Sequence, residues 1–237
     1  MTALRELFVG YGIEGKRNQL IGKIANRLHF DEVNEPHISN YIRDVLKDRS
    51  DEELMELFDN DLLTERAFKQ KIDSLVADYQ QKNFKTLLDK GQIVCEKIYQ
   101  LPKSIVAGKK ATGLSKGLYL EEDGDINNFE YSVIAAVANL ENVHFWHRNP
   151  ERGEGFCING FLNHYPDFII HTKNNHIILL ETKGDDRDNS DSRKKLELGK
   201  FWANKAGDKY RYFMVFDKRE LEGAYTKENF LEILKEL

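Results

Sequence analysis

Two segments, Tyr165-Pro-Asp-Phe-Ile-Ile-His171 and His176-Ile-Ile-Leu-Leu-Glu-Thr-Lys183, flank the polar stretch Thr172-Lys-Asn-Asn175. Both are rich in β-branched and aromatic residues, and the residues between them carry turn chemistry, so the pair reads as a β-hairpin. In the second segment Ile177 and Leu179 fall on one face and Ile178 and Leu180 on the other. A strand that is apolar on both faces belongs in the middle of a sheet covered on both sides. Gly184 ends it.

Working outward, Val143-His-Phe-Trp146 reads as a short aromatic strand before the hairpin. Asn127 and Asn128 open a helix ahead of it, with Phe129, Val133, Val137 and Leu140 on its apolar face. After the hairpin, the stretch from Asp185 to Ser192 reads as a loop, followed by a helix from Arg193 to about Lys205 that carries Leu198, Phe201 and Trp202. Tyr210 to Phe216 is a further strand, and Thr226 caps a last helix with Phe230, Leu234 and Leu237. The order helix, three strands, helix, strand predicts an α/β (α+β) fold with a central mixed sheet flanked by helices.

The first hundred residues are different in texture. Leu20, Ile21, Ile24, Ala25 and Leu28 recur at helical spacing. A short candidate lies around Ile42, Val45 and Leu46, and Ser50 with Glu53 makes a capping box. A longer helix runs through Phe68, Ile72, Leu75, Val76 and Tyr79 to a stop at Gly91. From Leu101 to Asp125, Pro102, Gly108, Gly113, Gly117 and the acidic run Glu121-Glu-Asp-Gly-Asp125 mark a linker. The expected organisation is a mainly helical unit over 1–100, a linker over 101–125 and an α/β unit over 126–237.

The chain has 237 residues, 41% hydrophobic and 11% aromatic with only 4 Pro, which supports a packed core and excludes disorder and collagen-like repeats. A net charge of −5 excludes a uniformly basic nucleic-acid coat and leaves room for a local basic face. The longest apolar run, Val133 to Ala138, is far short of the roughly 18 to 20 residues of a membrane span. Glu6 interrupts the place where a signal peptide would turn apolar, and Cys95 and Cys157 stand without a CxxC motif, so a reduced, cytoplasmic setting is expected.

The hairpin also concentrates charge. Glu181 and Lys183, two apart at the end of a strand, project to one face, and pairing through the turn brings Asp167 opposite them. Burying such charges costs several kcal/mol per ion unless they are paired or metal-bound. Mg²⁺ takes oxygen ligands, usually one or two carboxylates with water and a substrate phosphate, which suits Asp167 and Glu181. The metal would lower the pKa of a bound water, and Lys183 would orient that water or neutralise the transition state.

Tyr165-Pro166-Asp167 with Glu181-Thr-Lys183-Gly184 resembles the PD-(D/E)XK nuclease signature. The wider set of Phe145-Trp-His-Arg-Asn149, Gly160, Tyr165-Pro-Asp-Phe168, Leu179-Leu-Glu-Thr-Lys-Gly184 and Lys200-Phe-Trp202 is similar to the C-terminal endonuclease domain of type III restriction enzyme Res subunits and related helicase-nucleases. The likeness spans about residues 125 to 217. It implies a restriction-endonuclease-like core. It also implies catalytic roles for Asp167, Glu181 and Lys183, and a metal site of Asp167, Glu181 and Thr182 with Glu130 of the preceding helix as an auxiliary ligand. Glu130 has a second reading, since Asn127 and Glu130 form a capping box. DNA, an ATP-dependent motor domain and a methyltransferase subunit are the implied partners, and Mg²⁺, with Mn²⁺ as a substitute, the implied cofactor.

Arg148 and Asn149 are candidates for a phosphate contact, and Arg193, Lys194, Lys195 and Lys200 for a patch that tracks a nucleic-acid backbone. Gly10-Tyr-Gly-Ile-Glu-Gly-Lys16 mimics a phosphate-binding loop after Leu7-Phe-Val9, a stretch that would suit a strand, but Arg17 replaces the hydroxyl residue, so no ATP site is expected here. His144 and His147 are spaced for a helix although they fall in a strand, which disfavours zinc. The expected activity is Mg²⁺-dependent hydrolysis of DNA phosphodiester bonds. The alternatives are a docking module with little activity of its own, or a nuclease of the same fold acting on RNA or branched DNA.

Overall fold

The computed structural model describes residues 2–95, 100–105, 113–122, 125–150, 155–184, 189–218 and 221–237. They fall into two compact units, Met1–Asn83 and Phe84–Leu237. The division lies ahead of the Pro- and Gly-bearing stretch expected as a linker. The described residues make a mixed α/β protein with eight helices and a five-stranded mixed sheet. None of these helices is long and apolar enough to cross a membrane.

The first unit is helical: α1 (Thr2–Gly10), α2 (Ile13–Ala25), α3 (Glu35–Leu46), α4 (Asp51–Asp59) and most of α5 (Asp61–Asp89). Leu20, Ile24, Leu28, Ile38, Ile42, Leu46 and Leu54 form its core with Phe8 and Phe68. The capping box of Ser50 and Glu53 is present, and Asn34 caps α3, with Pro36 in its first turn. One reading of the sequence is corrected here. Leu7-Phe-Val9 lies inside α1 and not in a strand, because Phe8 packs inward against Phe58. The phosphate-loop mimic is the junction of α1 and α2, where the buried Lys16 is consumed by both carboxylate oxygens of Asp51 at 2.7 Å.

In the second unit α6 (Asn128–Ala138) leads into β1 (Val143–Arg148). The small hairpin of β2 (Ile158–Asn159) and β3 (Asn163–His164) follows, then β4 (Phe168–Thr172), β5 (Ile177–Lys183), α7 (Asn189–Ala206), β6 (Tyr210–Phe216), β7 (Tyr225–Thr226) and α8 (Lys227–Glu236). The sheet order is β1-β4-β5-β6-β7, antiparallel from β1 to β5 and parallel from β5 to β7. β5 is central. Ile178 and Leu180 pack with α6 and α8 through Val133, Ile134, Phe230 and Leu234, while Leu179 packs with α7 through Leu196, Leu198 and Trp202. Burying apolar side chains on both faces, at about 25 cal/mol per Å² removed from water, fixes this strand in the middle layer.

The turn between β4 and β5 closes with Asn175 N–H donating to Thr172 O, and Asn175 takes the left-handed conformation at φ +62°. β4 begins at Phe168, so Tyr165, Pro166 and Asp167 precede it where a strand from Tyr165 was expected. Asn189 already lies in α7, which shortens the expected loop, whose residues 185–188 lie outside the described ones. Of the expected linker, 106–112 and 123–124 also lie outside them, while Lys116 and Leu118 exchange main-chain hydrogen bonds with Trp146 and extend the sheet beyond β1.

Candidate active site

The register of β4 and β5 pairs Phe168 with Leu180, which puts Asp167 opposite Glu181, one step past the ladder. Both sit at the end of the sheet where β5 gives way to α7. The Thr182 N–H and Oγ1–H each donate to Asp167 Oδ2 at 2.7 Å. That hydroxyl is spent on Asp167, so the oxygen Thr182 can offer a metal is its main-chain carbonyl, which in extended backbone points to the same side as its N–H.

Glu181 is buried and Lys183 is buried beside it, with Nζ 2.5 Å from Glu181 Oε1. Lys195 reaches the same oxygen from α7 at 3.7 Å and also pairs with Asp191 at 3.3 Å. Burial works against the charge on Lys195, yet the carboxylates of Glu181 and Asp191 hold its pKa above the usual lysine value. Glu181 Oε2 is buried without a hydrogen-bond partner. Burial first, and the charge of Asp167 second, push the Glu181 pKa up to about 8, against the pull of Lys183 and Lys195. A carboxylate destabilised in this way is a group that a cation would stabilise.

Beneath Glu181, His164 Nε2 lies 4.0 Å from Oε2 and 2.8 Å from the Tyr212 hydroxyl. Burial, then the charges of Lys195 and Lys183, lower the His164 pKa to about 3, so the ring is neutral. Tyr212 fits because Gly199 leaves room: a Cβ there would sit 2.4 Å from the tyrosine ring. Neither His164 nor Tyr212 stood out in the sequence as a partner of Glu181. The signal was Gly199, a glycine in mid-helix, which costs helix stability and so marks a close approach.

Arg148 ends β1, and it and the following Asn149 hold the Pro166-Asp167 dipeptide. Asn149 N–H donates to Asp167 O at 3.0 Å, and Asn149 Nδ2 donates to Pro166 O at 2.8 Å and Phe156 O at 2.9 Å. Its Oδ1 accepts from Phe156 N–H at 2.7 Å. The side chain is buried and fully engaged, so the expected phosphate contact of Asn149 gives way to a role in the scaffold. Arg148 Nη1 donates to Asp167 O at 3.1 Å, and its guanidinium lies over the Phe168 ring, 4.9 Å from the centroid. The Arg148 main-chain N–H donates to the buried Glu122, which also bonds His147 Nδ1 at 3.0 Å. That pair uses His147 internally while His144 lies against Phe145 and His171, so the two histidines do not converge.

Glu130 occupies the third position of α6, and its capping box with Asn127 is complete in both directions. Its Oε2 also lies 3.8 Å from Arg148 Nη2. Of the basic residues on α7, Lys195 joins the site, Lys194 is half-buried, and Arg193 and Lys200 are exposed seven residues apart on one flank of the helix.

Among the described residues no group of three or more His, Cys, Asp or Glu side chains is arranged to hold a metal ion. The donor set is instead two carboxylates and a carbonyl. Asp167 and Glu181, with the orphaned Glu181 Oε2 and the carbonyl of Thr182, are hard oxygen donors of the kind Mg²⁺ takes while keeping several waters. The residues therefore fit the cation. Comparison with protein-family models, with curated proteins and with solved structures finds no match.

Proposed function

We propose that the chain is a Mg²⁺-dependent endonuclease acting on DNA phosphodiester bonds, with a restriction-endonuclease-like core formed by α6, β1, β4, β5, α7 and β6. The observation that carries this is the buried Glu181, pressed on by Lys183 at 2.5 Å, opposite Asp167 and with one oxygen unsatisfied. An unsatisfied oxygen on a buried carboxylate is costly, and costs of this kind gather at functional sites.

Asp167, Glu181 and the Thr182 carbonyl would hold the cation. When bound, Mg²⁺ (or Mn²⁺) supplies a lowered pKa for an attached water and compensates charge on the scissile phosphate. Asp167 is held for this by Thr182 through Oδ2, while Asn149 and Arg148 fix its carbonyl. Glu181 aims the Lys183 ammonium, which orients the attacking water and stabilises the pentavalent phosphorus. Lys195 adds a second positive charge on the same side, and Arg193 and Lys200 offer the exposed flank of α7 to the phosphate backbone. A motor domain and a methyltransferase subunit of a restriction system are the partners this reading carries with it, and the cytoplasm its setting.

The test is plasmid nicking by the full chain. Cleavage should require Mg²⁺ or Mn²⁺, stop with EDTA and fall at least about 100-fold in Lys183→Ala and Glu181→Ala. Metal-dependent cleavage that persists in either variant overturns the proposal.

A further inference from the structure

Arg148 stands between two of the site's carboxylates. Nη1 is 3.4 Å from Asp167 Oδ1 and Nη2 is 3.8 Å from Glu130 Oε2, while packing over Phe168 and 13% side-chain exposure hold the guanidinium in place. Glu181 is compensated from the other side by Lys183 and Lys195. Arg148, Lys183 and Lys195 are thus interleaved with Asp167, Glu130 and Glu181, and Lys195 is shared with Asp191, before any metal enters.

Two-metal phosphodiesterases place their ions about 3.5–4 Å apart, and a pair of ions draws on more carboxylate oxygens than one ion does, even when one carboxylate bridges them. Here the oxygens a second ion would use are engaged. Glu130 Oε2 accepts the Asn127 N–H and faces Arg148, and Asp167 Oδ2 is filled by the two donors of Thr182. Glu181 Oε2, unpaired and buried, and Asp167 Oδ1, which Arg148 Nη1 flanks at 3.4 Å, remain for a single ion. With three cations already among these carboxylates, adding one dication is also far less repulsive than adding two in a poorly hydrated setting.

We propose that Arg148 stands in for a second metal ion, so that the site takes one divalent cation at Asp167 and Glu181, and Glu130 anchors Arg148 without ligating metal. This deepens the nuclease reading and rests on it for the presence of a cation. It makes Arg148 a positioning residue whose guanidinium supplies positive charge that a second ion would otherwise bring to these carboxylates.

The experiment is a calorimetric titration of the full chain with Mn²⁺, without nucleic acid, so that no turnover is needed. Wild type and Arg148→Lys should bind one ion per chain. Arg148→Met, which keeps bulk and removes charge, should bind two, and adding Glu130→Gln to it should return the count to one. If Arg148→Met fails to fold, Glu130→Gln alone decides: one ion with affinity within about threefold of wild type supports the assignment, and a tenfold loss overturns it. Two ions in wild type, or one in folded Arg148→Met, overturn the role of Arg148 and leave the nuclease reading standing. No ion bound by wild type overturns the metal-dependent reading itself.

Discussion

Replacing Glu181 by Gln removes a carboxyl whose ionisation the fold resists, and the consequence is calculable. Without a divalent cation, burial and then Asp167 raise its pKa from the usual 4.5 to about 8. An acid whose pKa is higher in the folded than in the unfolded chain binds its proton more tightly when folded. Its contribution to stability is complete below about pH 4.5 and is lost as pH rises through about 8. At about 1.4 kcal/mol per unit, that span sets a ceiling of about 5 kcal/mol, most of it lost between pH 5 and pH 9. For a unit the size of Phe84–Leu237 this corresponds to about 10–20 °C in Tm. Gln has the same shape and does not titrate. The assay is thermal unfolding followed by circular dichroism in EDTA from pH 5 to 9, for wild type and Glu181→Gln side by side. Groups that titrate in both chains cancel in the difference. Wild type should lose stability with rising pH and the variant should not. Parallel profiles would refute the claim that Glu181 is buried against its own charge.

Asn149→Ala should cost about 2–4 kcal/mol, since it strands the buried Phe156 N–H and two carbonyls, and a smaller Cm at unchanged m-value in urea would register it. Gly199→Ala should cost about 1–3 kcal/mol by forcing a methyl group into the Tyr212 ring, and the same denaturation would show no loss if the helix simply slides aside. Thr182→Val removes one of two donors to Asp167 Oδ2 at constant shape. It should weaken Mn²⁺ binding about fivefold, matching about 1 kcal/mol, and an unchanged affinity would mean that the main-chain N–H alone fixes the carboxylate.

What was legible in the sequence was what depends on local pattern. The apolar run on both faces of β5, the asparagine cap of α6 and the threonine cap of α8 are each signalled by residues within a few positions of one another, and the structure has all three. Asp167 opposite Glu181 was also legible, because a hairpin couples residues through a short turn. The roles of Arg148 and Asn149 were not, since they depend on β1 pairing with β4 across an intervening hairpin, and nothing near Asn149 in sequence says that Pro166 and Phe156 will be its partners. Likewise Tyr212 joins the site only through the parallel register of β6 on β5. Leu7-Phe-Val9 misled because three apolar residues in a row suit either a strand or a helix, and α1 settles the matter by burying Phe8 while Leu7 and Val9 stay exposed.

Being apolar on both faces has a consequence for how β5 finds its place. A strand with one wet face is punished for slipping by a residue, because its apolar side chains would turn to water. β5 would bury leucines and isoleucines either way, so hydrophobicity alone leaves its alignment nearly degenerate. The choice falls to the turn at Thr172–Asn175, with its left-handed asparagine, some 20 Å from Glu181 at about 3.3 Å per residue. A single residue inserted there would exchange Glu181 and Lys183 with their neighbours across the sheet. The protein would keep its grease and lose its charges, and a surface turn would have decided which.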